Sequence, residues 1–169
     1  MAKNDDVAIV ENTTEVQEIN LEQKVTIKNI AGWTVGFKRI EGDGDVTIPP
    51  EGTTRLSRSE IISQAQNGNR LLTGTDSRGS HATIYTEDIP TRIEMDFDIP
   101  EEKITQQALT PDVVRKLFEY KTTKAFEENL RKAVVTRAEK YAILQIIKKE
   151  KFNDFDKIRI VEDYTGFKM

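Results

Sequence analysis

The 169-residue chain has no cysteine, a single histidine and a single tryptophan. Without cysteine there is no disulfide framework, no thiolate zinc site and no thiol nucleophile. The same absence fits synthesis in a reducing compartment. With His81 as the one imidazole, a metal site would have to be completed by loop carboxylates, which is a weak pattern. No Gly-x-Ser-x-Gly elbow accompanies it, so a serine triad is not indicated. His81 is read with Asp76 and Arg78 as part of a polar-bonded loop bracketed by Gly74 and Gly79. No phosphate-cradling loop occurs, and Gly42-Asp43-Gly44 is not followed by a helix start. Asp43 and Asp45 lack the other ligands of a calcium loop. No apolar run approaches the roughly 18 residues of a membrane span. The start, Lys3-Asn4-Asp5-Asp6, lacks the apolar stretch of a signal peptide. The expectation is a non-enzymatic chain with no cofactor, no metal and no membrane partner.

Charge is abundant but unevenly placed. The net charge is −4 and the pI near 5.2, which is not the footprint of a nucleic-acid binder. Residues 87–102 carry seven acids against Arg92 alone, whereas residues 113–151 carry eleven bases and five acids. These runs are either solvated faces or a polar contact with a complementary neighbour, including another copy of the chain.

The pattern predicts an α+β protein in four stretches. Residues 1–20 form an acidic arm with one apolar cluster, Val7-Ala8-Ile9-Val10, and no sustained period, so the arm is expected to be disordered. Residues 21–98 read as a β-rich domain, a small barrel or sandwich with one short helix. Strands are predicted at Val25-Thr26-Ile27-Lys28, Trp33–Lys38, Val46–Ile48, Thr53–Leu56, Leu71-Leu72 and Ala82–Tyr85, with another through Ile93, Met95 and Phe97. The helix follows the capping box Ser57-Arg58-Ser59-Glu60. Residues 99–110 read as an acidic linker between separately folding units. Residues 111–169 read as a helical domain of two to three helices. It starts at Thr110-Pro111-Asp112, has a possible second start at Thr136-Arg137-Ala138-Glu139, and has a third after Asn153. One long helix through Thr136 is the open alternative, as is a strand at Ile158-Arg159-Ile160.

Several segments resemble small virion proteins of tailed bacteriophages. In the β part these are Val46-Thr47-Ile48-Pro49-Pro50, Ser59-Glu60-Ile61-Ile62, Gly74-Thr75-Asp76 and Gly79-Ser80-His81-Ala82-Thr83-Ile84-Tyr85. In the helical part they are Lys124-Ala125-Phe126-Glu127-Glu128, Val135-Thr136-Arg137-Ala138-Glu139-Lys140 and Asp156–Arg159 running to Tyr164-Thr165-Gly166. The resemblance implies a head-associated auxiliary or neck protein, made in the cytoplasm of a bacterial host and carried in the virion. Its partners would be capsid, portal or neck proteins and copies of itself. The resemblance carries no catalytic residues over. The alternative is a small regulatory or nucleic-acid-associated phage protein acting in the infected cell.

Candidate interaction residues follow from excess apolar surface. Trp33 offers a large rigid contact if exposed. Around residues 142–147 apolar side chains nearly encircle a helix, and such a helix must be covered on all sides. Either the β domain folds back onto it or another subunit does; another subunit is favoured, because the acidic linker does not force the domains together, so Val135, Tyr141, Ile143, Ile146 and Ile147 are expected to meet one.

Overall fold

The computed structural model describes residues 18–169, so the predicted arm lies, up to residue 17, outside the described residues. The architecture is mixed α+β. Strand β1 (Lys24–Asn29) is central in a three-stranded antiparallel sheet. It pairs with β4 (Thr53–Ser57) on one side and β5 (Ile84–Thr86) on the other. Its alternation puts Val25, Ile27 and Asn29 inward, as a period of two requires. Strands β2 (Val35–Lys38) and β3 (Asp45–Ile48) form a separate two-stranded hairpin. The two sheets share one core, with Ile27, Val35, Ile48, Leu56, Ile61 and Ile84 in contact. No barrel closes among the described residues, because β2 and β3 pair only with each other.

Three short helices, rather than the single one expected, sit in this part. Helix α1 (Arg58–Gln66) starts at Ser57, whose hydroxyl accepts from the Glu60 amide, as the capping box predicts. Leu71 and Leu72 belong not to a strand but to a helical turn, α2 (Arg70–Thr73), capped by the Asn69 side chain. The expected strand through Ile93, Met95 and Phe97 is instead replaced by α3 (Ile89–Glu94) and the turn after it. Its cap is the reason: the Asp88 carboxylate accepts from the Thr91 amide and hydroxyl, and Pro90 suits a first turn. Local capping chemistry outweighed a three-residue alternation.

The stretch 99–110 begins with a 3-10 turn at Pro100–Glu102. It is not a free linker. Gln106 and Leu109 are buried, and Gln106 bonds to Asp98 and to the Gly79 carbonyl. Beyond it come four helices, not two or three: α4 (Pro111–Phe118), α5 (Thr123–Ala133), α6 (Arg137–Glu150) and α7 (Phe155–Thr165). Thr110, Thr122, Thr136 and Asp154 cap them in turn, and Gly166 closes α7 in a left-handed conformation. Ile158 lies inside α7, so the strand alternative there is set aside.

The core does not respect the expected domain boundary. Ile30, Ala31 and Tyr85 from the sheet side pack with Leu109, Phe126, Leu130, Ala142, Ile143 and Ile147. The β part folds back onto α6. Helices α4 and α7 also pack on α6, so its apolar sides are covered within the chain. Each fully buried large side chain there, such as Phe126 or Ile143, contributes about 1.5–3 kcal/mol. Among the described residues no helix is long and apolar enough to cross a membrane.

Candidate functional site

The joint between the sheets and α6 gathers most of the distinctive side chains. It is built from the end of β1. Asn29 is fully buried, and its side-chain amide donates to the carbonyls of Trp33 (2.9 Å) and Pro49 (3.0 Å). Its carbonyl oxygen accepts from the Ala31 amide at 2.9 Å. The Glu51 amide donates to the Ala31 carbonyl at 3.0 Å, tying the Pro49–Gly52 turn to the same loop. Four bonds therefore fix the chain that presents Trp33.

That loop sits on α6. The ring of Tyr141 lies where Gly32 has no side chain; a Cβ there would be 2.6 Å from the ring. The Tyr141 hydroxyl donates to Glu51 at 3.4 Å, and its ring meets Phe167 edge-on. Burial and the facing Glu51 carboxylate push the Tyr141 phenol up, so it stays protonated. Trp33 remains 39% exposed, and the Arg137 guanidinium sits 5.4 Å from its ring centroid. Val135, two residues before Arg137, is 46% exposed. Trp33, Val135 and Tyr141 thus lie around the start of α6, with the Arg137 cation against the Trp33 ring.

The other candidates are placed differently. Ile143 and Ile147 are fully buried in the chain's own core and cannot serve a partner contact, a correction that follows from the β part covering α6. Ile146 is half-buried and lines a small groove of about 230 Å³ with Lys28, Tyr85 and Lys149.

A second pin lies nearby. The His81 Nδ1 is 2.9 and 3.0 Å from the two oxygens of Glu139, a carboxylate only 1% exposed. Glu139 also accepts from the amides of Val135 (3.0 Å) and Thr136 (3.1 Å), completing the capping box of α6. His81 holds a left-handed backbone with φ near 59°, a conformation that His tolerates better than most residues. The box was visible in the sequence. Its partner was not, because the two residues lie 58 positions apart with no local signal. Arg137 and Gly32 were also missed; a glycine just before the lone tryptophan was the available hint.

The remaining polar groups are engaged in holding the fold. Asp76 accepts from the amides of Arg78 and Ser80 and from the Ser80 hydroxyl. Burial pushes its carboxyl up, but these bonds outweigh that and hold it below its usual range. Glu60, 2% exposed, behaves alike: burial raises it, while bonds from Gln64, Ile40 and Glu41 bring it below normal. Asp88 is opposed by burial and lowered by Arg58 and Thr91. Among the described residues no three His, Asp or Glu side chains are placed to hold a metal ion. Comparison with protein families, with curated proteins and with solved structures gave no match.

Proposed function

We propose that this chain is a non-catalytic structural component of a tailed-phage virion, docked on the head or neck through protein–protein contacts. The observation that carries the assembly reading is the patch at the start of α6. A tryptophan, a valine and an arginine are exposed there on a loop and a helix end held by buried hydrogen bonds. Aromatic residues and arginine, rigidly presented, are the composition of interface anchors. Rigidity matters because an anchor already fixed in place loses little side-chain entropy on docking.

Two further observations support the reading. Glu60, Asp98 and Glu139, the buried carboxylates among the described residues, are each engaged by several donors within the chain. Their hydrogen bonds hold loops and caps. The virion assignment itself rests on the resemblance of the Val46–Pro50, Gly79–Tyr85 and Val135–Lys140 segments to small phage virion proteins. Particles of a phage encoding this chain, purified on a gradient and analysed by mass spectrometry, should contain it at a fixed ratio to the major shell protein. Presence in the infected-cell lysate with absence from particles would instead indicate a protein acting in the cell.

A further inference from the structure

Phe155 is the most solvent-exposed of the large apolar residues among those described, at 81%. It is the first residue of α7, and the Asp154 side chain caps that helix through the Lys157 amide at 3.2 Å, so the ring is carried on a fixed backbone. Acids flank it on both sides, Asp154 and Asp156. Elsewhere on the chain a concavity of about 390 Å³ opens beside α4 and α5. Leu109, Val113, Leu117 and Ala133 line it, and Lys116 and Lys132 stand at its edge. Among the described residues neither lysine takes part in an ion pair.

We propose that Phe155 of one copy seats in this concavity of a second copy, with Asp156 meeting Lys116 and Lys132. The knob is an aromatic ring beside the Asp156 carboxylate, Asp154 being held by Lys157 at 3.4 Å. The socket is lined by apolar side chains together with the polar His81, Gln107 and Asn129, with two lysines among its walls. The acid beside the ring and the lysines of the concavity are of opposite charge, and a volume of about 390 Å³ is ample for one phenyl ring. Among the described residues the ring is exposed and nothing fills the concavity, and a second copy brings the one to the other. Knob and socket are different patches. Every copy offers both, and the contact propagates head to tail into a ring or a filament. The inference concerns two copies of this chain alone and stands independently of the virion reading.

Sedimentation equilibrium on the full chain tests it. The wild type should self-associate with concentration. Phe155→Ala should weaken this by about tenfold to a hundredfold, the worth of one buried aromatic side chain. The double variant Lys116→Glu with Lys132→Glu should weaken it similarly, and raised salt should weaken the wild type. All three positions are exposed, so the variants keep the fold, and a circular-dichroism melt checks that. The decisive arm mixes the two variants. Phe155→Ala retains a socket and the lysine variant retains a knob, so the mixture should form one-to-one pairs that neither forms alone. A wild type that stays monomeric at about 1 mM overturns the proposal. So does Phe155→Ala associating like the wild type, or a mixture that stays monomeric.

Discussion

Replacing Glu139 tests how strongly the sheets and the helices are coupled. In the wild type this one carboxylate accepts from two backbone amides, from the Thr136 hydroxyl and from His81. Glu139→Ala removes the bond to the His81 imidazole, a loss of about 1 kcal/mol. It also leaves the Val135 and Thr136 amides without their partner, at about 1–3 kcal/mol, toward the low end because water reaches the exposed Val135. The expected total is about 2–4 kcal/mol, a large share of a typical domain stability of about 5–15 kcal/mol. Glu139→Gln keeps a carbonyl for the amides and turns an N–H toward the imidazole, so it should cost only about 1 kcal/mol. Urea unfolding followed by circular dichroism gives both values. A cycle with His81→Ala should show a coupling of about 1–3 kcal/mol between the two residues. If Glu139→Ala lies within about 0.5 kcal/mol of the wild type, or the coupling vanishes, the pin does not join the two parts and the reasoning fails.

The other predictions follow the same logic. Gly32→Ala places a methyl group against the Tyr141 ring and should destabilise by about 1–3 kcal/mol; pairing it with Tyr141→Leu should recover part of that loss in the same melt. Ile143→Glu should unfold the isolated chain, since it buries a charge in the shared core; a native melt for that variant would contradict the placement of Ile143. A fragment of residues 18–98 should lack a cooperative melt, because Ile30, Ala31 and Tyr85 lose the helices that cover them; a sharp transition would show that the β part folds alone. Glu60, Asp76 and Asp88 titrate below their usual values of 4.5, 3.8 and 3.8. Their stabilisation is therefore full above those values and is lost as acid protonates them on the way down. The urea midpoint should fall between about pH 5 and about pH 2, and Glu60→Gln should flatten the fall.

Local chemistry explains which parts of this fold could be read from the sequence. Ser57, Thr110 and Thr136 announced their helices because a cap is a side chain bonding to its own neighbourhood. The alternation of β1 was legible because one face of it is buried. Where two local signals competed, the wrong one was followed: Asp88-Ile89-Pro90 marks a helix start as clearly as Ile93, Met95 and Phe97 mark a strand. The short break at residues 119–122 carries no glycine or proline, so α4 and α5 read as one continuous stretch. The excess of apolar residues on α6 is legible in the sequence, but whether the β part or another subunit covers it is not, because both satisfy the same periodicity. Helices α4 and α7 and the loop Ile30-Ala31-Gly32 after β1 supply that cover, and acidic residues near 99–110 give no hint that Gln106 and Leu109 anchor the connection. Of the candidate interaction residues, Trp33, Val135 and Tyr141 come together at one joint, while Ile143 and Ile147 go into the core. Proximity across 58 residues, as between His81 and Glu139, leaves no periodic trace in a single sequence.

The most direct test of the proposed virion role is a density map of particles of a phage encoding this chain. The account predicts repeated copies of the α+β fold at symmetric positions on the head or neck, with Trp33 and Arg137 against a neighbouring protein. A complete particle map with no density for the chain, or copies whose Trp33 face is bare and whose contacts are with nucleic acid, would contradict it.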